Sequence, residues 1–460
     1  MQIPNTLSET HLQLMSGKLS AENLTLAYLE QIEKIKHLNA YVCIWNESAL
    51  SKAKQIDEKI KTGKKLGKLF GAVVSIKDNI CYKNHNVSAA SKILKNYISP
   101  YNATVVQRLL DEDAIIIGST NCDEFGMGSS STNSIYGSVK NGEDNSKIAG
   151  GSSGGAAVSV QMNTCLFALG SDTGGSIRQP AALCNVIGFK PSYGSISRHG
   201  LIAYASSFDQ IGIISKDMVS ISRVYESIKG PDDYDGTVVL DDATNASSHE
   251  IKIAGLAPIV EQANGHVRKT LDMLETVSSV DYLPFEFMDY MVPCYYILTM
   301  AEASSNLSRY DGVRYGHRSN HVDTLEDLYK NSRTEGFGDE VKKRIMLGTF
   351  VLSEGYFDAY YAQAQKVRRL IVDSMDKILV DCDVIAMPVI TGEPRRLDQS
   401  VSDALEIYMS DIFTVLANLT GMPSIAIPMI DQNGFKTSIQ LMCKQGHDQR
   451  LLDIAKDFYL

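Results

Sequence analysis

Hydrophobic and polar positions along this chain follow two periods, and near the N-terminus the period is helical. Thr6 and Glu9 have the spacing of a capping box, and Gly17 suits the stop of a first helix. Ser20 can cap a second helix, in which Leu24, Tyr28, Ile32 and Ile35 fall on one face. The run "KLFGAVVSIKDNI" (68–80) is short, apolar and rich in β-branched residues. It predicts a buried strand ending near Lys77. Residues 102–120 predict a helix and then a strand, with Asn102 as the helix cap. Residues 154–162 predict a helix after a glycine turn, and 165–170 predict a strand. Residues 356–390 again read as helix then strand. This alternation argues for an α/β architecture with a mostly internal sheet. Two stretches, 229–250 and roughly 318–340, read as loops or insertions. No repeat, low-complexity tract or clean linker divides the chain. One domain over 1–460 is therefore expected, with a helical segment of about 1–65 packed on the main body.

Composition narrows the function classes. The 460 residues are 44% hydrophobic and 21% charged, as in globular chains with a sizeable core. The formal net charge is −10, so the surface repels phosphate backbones and does not suit an independent grip on nucleic acid. The eight cysteines, Cys43, Cys81, Cys122, Cys165, Cys184, Cys294, Cys382 and Cys443, form no C-x-x-C pair and have no histidine cluster beside them. They read as reduced core thiols and not as disulfides or zinc ligands. The opening residues resemble neither a secretory signal nor a transit peptide: Glu9 and Glu22 come early, and the first arginine is Arg108. No apolar run is long enough to span a bilayer. A cytoplasmic protein with no membrane contact is expected.

Three places carry polar residues where the pattern predicts burial or tight turns: Lys77, "AGGSSGGAA" (149–157) and "GSDTGGSIRQPA" (170–181). Neither glycine run ends in the Lys-Ser/Thr of a P-loop, and neither shows G-x-G-x-x-G between strand and helix. "DTG" (172–174) has the form of an aspartic-protease turn, but that chemistry needs a second such turn, and there is none. A Ser-His-Asp triad lacks its G-x-S-x-G elbow, and the nearest histidine, His199, bears no relation to the glycine runs. Serine chemistry with a lysine base remains. A lysine amine is neutral at pH 7 only if its pKa, ordinarily about 10.4, falls by roughly 3, which is about 4 kcal/mol. Burial at a strand end can supply that. A second serine can relay the proton, since a hydroxyl both donates and accepts. The bare backbone before Ser176 then offers N–H groups to a tetrahedral oxyanion. Alone, Lys77 would read as a surface lysine; its weight comes from this company.

Lys77, "GGSSGG" (150–155) and "GSDTGGSIRQPA" together resemble the amidase signature family, whose members hydrolyse amides with a Ser–cisSer–Lys triad. The resemblance implies a central mixed β-sheet covered by helices on both faces. It implies Ser176 as nucleophile, Ser152 as cis-serine and Lys77 as base, with an oxyanion hole from the backbone N–H groups of Thr173, Gly174, Gly175 and Ser176. Asp172 and Arg178 read as braces of the loop. The segments "NCDEFGMGSSS" (121–131), "GFKPSYGSISRHGLIAYASSFDQIG" (188–212), "AEASSNLSRYDGVRYG" (301–316), "RIMLGTFVLSEGYFDAYY" (344–361) and "ANLTGMPSIAIP" (417–428) are similar to one branch, the glutaminase subunits of tRNA-dependent amidotransferases. That likeness implies glutamine as substrate, with Arg344 on its carboxylate and Asp411 on its ammonium. Met127, Ser129 and Tyr295, or the adjacent Tyr296, would line the amide end. It also implies GatB-like and GatC-like partner subunits, tRNA contacted mainly through a partner, no cofactor in this chain, and ATP and Mg used by the partner. Ile213 and His199 depart from the branch's usual residues, at positions away from the triad. The alternatives are a free-standing amidase of a small amide and an inactive scaffold within an assembly.

Overall fold

The computed structural model describes residues 3–239, 251–399 and 408–459. Its strands are β1 (Tyr41–Ile44), β2 (Val73–Lys77), β3 (Ile115–Thr120), β4 (Phe167–Asp172), β5 (Ile187–Lys190), β6 (Gln210–Ser215), β7 (Ile253–Leu256), β8 (Asp281–Leu283), β9 (Val384–Pro388), β10 (Ser424–Ile430) and β11 (Lys436–Met442). They form one 11-stranded sheet in the order β1-β3-β2-β4-β6-β5-β10-β11-β9-β7-β8. The sheet is mixed: β2 runs parallel to β3 and β4, while β4–β6, β5–β10 and β10–β11 are antiparallel.

Side chains alternate across a strand, so each strand feeds both faces. On one face Val74, Ile76, Phe167, Leu169, Ile187, Ile211, Ile213, Ile425 and Leu441 make a continuous apolar layer. It is covered by the helices Thr104–Asp111, Met218–Ile228 and Asp448–Phe458. The opposite face is covered in sections. The N-terminal helices pack on Val73, Ile115 and Ile117. The helices Gly154–Gln161 and Arg178–Leu183 cover the middle. Met288–Asn306, Asp339–Val351 and Ala362–Asp381 cover the far end. Lys77 shares its strand side with Val73 and with Ser75, whose hydroxyl lies 3.0 Å from that of Ser159. The lysine therefore points beneath the N-terminus of Gly154–Gln161.

Most predicted elements are present. Thr6 caps Leu7–Met15 by accepting from Glu9 N–H, and Ser20 caps Ala21–Lys34 by accepting from Asn23 N–H. The Glu9 carboxylate reaches back to Asn5 N–H (2.9 Å) and not to Thr6. Two expectations are corrected. Asn102 is not a helix cap. Its oxygen accepts from Lys83 N–H at 2.8 Å, and Ala103 takes the cap position without a side-chain bond. The stretch 318–340 is not a loop, because it contains the helix Leu325–Gly336 with a full capping box between Thr324 and Asp327. Of the other expected loop, 231–239 is turns, and 240–250 lies outside the described residues. The eight cysteines are free, six of them buried. No helix among the described residues is long and apolar enough to cross a membrane.

Ile117 is fully buried between the N-terminal helices and the sheet. Ile117→Ala is expected to destabilise the fold by about 2–5 kcal/mol in denaturant unfolding. A loss under about 1 kcal/mol would mean that these helices are not packed as core.

Candidate active site

Three loops at the ends of buried elements converge on the Lys77 side chain. The first is 121–133, after β3. The second is 149–153, which enters the helix Gly154–Gln161. The third is 173–177, between β4 and the helix Arg178–Leu183. Lys77 is fully buried, and its Nζ lies 2.7 Å from Ser152 Oγ, 2.9 Å from Ser153 Oγ and 2.9 Å from Ser171 Oγ. The Gly151–Ser152 peptide bond is cis. Burial pulls the Lys77 pKa below the ordinary lysine range, opposed by Cys122 and by the Asp123, Asp172 and Asp209 carboxyls.

The surrounding hydroxyls suit a neutral amine. Ser153 Oγ donates to Ser171 O at 3.1 Å, so its oxygen is left to accept from the lysine. Ser171 Oγ already accepts from Asn79 Nδ2 at 3.0 Å. A neutral amine has two N–H bonds and one lone pair. The two N–H bonds can serve Ser153 and Ser171, which leaves the lone pair for the Ser152 O–H.

Ser176 lies across from Ser152, and the two loops are joined by Ser153 N–H donating to Ser176 C=O at 3.1 Å. Among the described residues no hydrogen bond joins the Ser152 and Ser176 hydroxyls. The lysine-to-serine half of the expected relay is therefore formed, and the serine-to-serine half is not. Catalytic hydrogen bonds of this kind often tighten only around substrate.

The loop that carries Ser176 is strapped from behind. Asp172 Oδ1 accepts from Gly175 N–H (2.9 Å), Asn418 Nδ2 (2.9 Å) and Arg178 Nη2 (3.0 Å). Its Oδ2 accepts from Ile177 N–H and Arg178 Nε, both at 3.1 Å. Burial works to raise the Asp172 pKa, but the Arg178 guanidinium, with Lys190 and Asn418, holds the carboxyl well below the usual range. Asp172 and Arg178 are fully inaccessible, which rules out an aspartic-protease role for "DTG" and fits the expected brace. The Gly175 expectation is corrected here. Its N–H is committed to Asp172, so it is not a free oxyanion donor. Gly174, Gly175 and Ser176 line the cavity while Thr173 does not, and among the described residues the Gly174 and Ser176 N–H groups have no hydrogen-bond partner, which leaves them available to an oxyanion. The glycines are dictated by close approach. Gly175 has φ +126°, and a Cβ on it would strike Thr414; a Cβ on Gly174 would strike the Tyr295 phenol.

The cavity is lined by Gly126, Gly128, Ser129, Gly151, Gly174, Gly175, Ser176, Tyr204, Tyr295, Tyr296, Arg344 and Asp411. Asp411 accepts from Ser129 Oγ (2.8 Å), Tyr296 Oη (2.7 Å) and Gln179 Nε2 (3.3 Å). Burial pushes its carboxyl up to about 6, against Tyr296, Ser129 and Arg344. Arg344 donates Nε to Glu340 Oε1 and Nη1 to Tyr204 Oη, each at 2.8 Å. The rings of Tyr204, Tyr296 and Tyr408 flank its guanidinium. A cation and an anion thus stand in one small cavity with Ser176, an arrangement that can hold an amino acid by both α-groups.

Of the two adjacent tyrosines, both line the cavity: Tyr295 over Gly174, Tyr296 on Asp411. Met127 does not line it. Its side chain is wholly buried in the apolar core, and the glycines on either side form the wall. Tyr204, Gln179 and Asp209 were not foreseen, and they belong to the site's framework. The contacts that tie them to the site, Gln179 to Asp411, Tyr204 to Arg344 and Asp209 to Thr173, span 36 to 232 residues, so no local pattern marks them.

Residues 23–452 match the Amidase family. The chain belongs to the amidase family. Within it, the chain is 44% identical over 463 residues to the A subunit of glutamyl-tRNA(Gln) amidotransferase from Chlorobium phaeobacteroides (strain BS1), covering 97% of this chain and 96% of that one. The crystal structure of the corresponding A subunit of Thermotoga maritima glutamyl-tRNA(Gln) amidotransferase superposes with a TM-score of 0.78 at 34% identity, covering 98% of this chain and 94% of that one. The peptide amidase of Stenotrophomonas maltophilia shares the fold, with a TM-score of 0.79 at 24% identity over 98% of this chain and 96% of that one. The mixed sheet with helices on both faces is the amidase fold.

Asp172→Asn removes the charge that compensates buried Arg178. It is expected to cost about 3–5 kcal/mol in denaturant unfolding. A loss under about 1 kcal/mol would show that the pair does not hold the loop.

Proposed function

We propose that this amidase hydrolyses the side-chain amide of glutamine as the ammonia-supplying component of a glutamyl-tRNA(Gln) amidotransferase. The observation that carries the reading is the placement of Arg344 and Asp411 in the same cavity as Ser176. A small simple amide needs neither charge, and glutamine needs both. The similarity to amidotransferase A subunits over nearly the whole chain supports the same reading.

In this mechanism neutral Lys77 takes the Ser152 proton while Ser152 takes that of Ser176. Ser176 Oγ attacks the amide carbon of glutamine. The Gly174 and Ser176 N–H groups receive the oxyanion. Collapse breaks the C–N bond, and the proton returns through Ser152 to the leaving nitrogen, which departs as ammonia. Water then attacks the glutamyl ester on Ser176, with the same base accepting its proton, and releases glutamate. Arg344 holds the α-carboxylate and Asp411 the α-ammonium. The ammonia passes to a GatB-like partner, held with a GatC-like one, which uses ATP and Mg to activate Glu-tRNA(Gln) or Asp-tRNA(Asn) and carries most of the tRNA contact. The acidic chain is compatible with that division, and the cytoplasm is its proposed compartment.

The test is release of ammonia and glutamate from glutamine by the chain alone, then with both partners, ATP and Glu-tRNA(Gln). Release that rises with the partners and yields Gln-tRNA supports the reading. Rapid hydrolysis of simple amides without response to partners or tRNA would overturn it. Ser176→Ala is expected to lower glutamine hydrolysis by a factor on the order of 10⁴ or more with unchanged thermal stability. An unchanged rate would remove Ser176 from the nucleophile's role.

The two titrating groups set the pH response. Asp411 attracts the substrate ammonium only as a carboxylate, and its pKa is about 6, so KM for glutamine is expected to rise as pH falls through about 6. Lys77 acts as a base only when neutral, so kcat is expected to climb with pH until its lowered pKa is passed. A KM that stays flat from pH 5 to 8 would separate Asp411 from substrate binding.

A further inference from the structure

We propose that Asp209 is a positioning residue that fixes the substrate-carboxylate anchor, Arg344, relative to the oxyanion loop at Thr173–Ser176. Asp209 precedes β6, is 3% exposed, and does not itself line the cavity. Its two oxygens point in different functional directions. Oδ1 accepts from Thr173 Oγ1 at 2.6 Å, at the start of the oxyanion loop. Oδ2 accepts from the N–H groups of Tyr204 (2.8 Å) and Ala205 (3.0 Å). The Tyr204 hydroxyl then accepts from Arg344 Nη1 at 2.8 Å and donates to Thr299 Oγ1 at 3.1 Å. One carboxylate therefore bridges Thr173, at the start of the loop that carries the oxyanion donors, and Tyr204, whose hydroxyl orients the guanidinium.

The chemistry gives this link a purpose. An oxyanion donor and a carboxylate anchor select a substrate by the distance between them, and errors of about 1 Å can cost about a hundredfold in rate. Arg344 sits on the helix Asp339–Val351 and Thr173 follows β4, so neither element sets that distance through its own backbone. Asp209 sets it with three hydrogen bonds. The inference rests on the reading of Arg344 as the carboxylate anchor.

The experiment compares glutamine with 4-aminobutanamide, which is glutamine without its α-carboxylate, in the assembled enzyme. Two quantities are read: kcat for each amide, and the ratio of their kcat/KM values. Thr173→Val is expected to lower kcat on both amides about tenfold and leave the ratio in place. Tyr204→Phe is expected to lower the ratio about tenfold, through KM for glutamine. Asp209→Ala is expected to do both. Asp209→Asn is expected to recover most of the ratio, since its oxygen still accepts from Tyr204 N–H and its amide donates to Thr173 Oγ1. If Asp209→Ala does not fold, Asp209→Glu, which displaces the carboxylate by one methylene, is expected to shift the ratio in the same direction. A parallel fall on both amides with an unchanged ratio, in whichever of these two variants folds, would overturn the proposal and leave Asp209 a purely structural residue. Arg344→Met reports separately on the underlying reading. If it leaves the ratio unchanged, Arg344 is not the carboxylate anchor; if it collapses the ratio while Asp209 variants do not, the anchor stands and the link through Asp209 falls.

Discussion

The buried Asp172–Arg178 ion pair is the contact on which the active site depends. Removing two charges from water is costly, and a pair is tolerated only when geometry and further hydrogen bonds satisfy both ions. Here the pair is bidentate, and the remaining donors of Arg178 reach Gln440 and Asn418, each at 2.7 Å. Gln440 lies on β11 and its amide donates to Pro388 C=O on β9 (3.1 Å). The pair therefore ties the end of β4 to strands on the far side of the sheet. It also decides which N–H groups are spent. Gly175 and Ile177 are bound to Asp172, so the loop can turn Gly174 and Ser176 toward the cavity.

The same low-dielectric interior acts on the neighbouring lysines. Lys77 is driven toward its neutral form by burial, and three carboxyls moderate the effect. Lys190, buried on β5, is pushed down to about 7 by burial and by Arg178, although the mechanism makes no use of it. A lowered lysine pKa is thus a property of this region of the core and not a mark of catalysis. Lys77 is distinguished by its partners, three hydroxyls within 2.9 Å, one of them on the cis-peptide serine.

Strong periodicity made much of the fold readable from sequence. The β2 run and the amphipathic helix Ala21–Lys34 bury the residues that the pattern marks. The helix Leu325–Gly336 was missed because only Leu328, Ser332 and Gly336 are buried in it, so its apolar face is too thin to register. Its signal was the cap, Thr324 with Asp327, placed inside a polar stretch. Asn102 misled for the converse reason: a good capping residue was drawn away by a competing backbone donor, Lys83 N–H. In the site, Lys77, Ser152 and Ser176 were legible because glycine-rich backbone around a hydroxyl has few other uses. The two tyrosines could not be separated by sequence because helix neighbours point about 100° apart, and here both directions meet the cavity. Met127 was misplaced because its flanking glycines, and not its own side chain, form the wall.

Substrate recognition and catalysis share their supports. Ser129, which donates to Asp411, belongs to the loop whose neighbouring N–H groups at Ser131 (2.8 Å) and Asn133 (3.0 Å) are gathered by the buried Asp123 carboxylate. Asp123 N–H in turn donates to Ser152 C=O at 3.2 Å. Gln179, which also donates to Asp411, lies on the helix that begins at Arg178, two residues beyond Ser176. Asp411, the proposed ammonium anchor, is therefore held by the same loops that hold the two serines. A change that loosens one loop must weaken binding and turnover together, because each loop serves both. That coupling is a direct consequence of packing both functions into one small cavity beyond the ends of the interior strands β2 and β4.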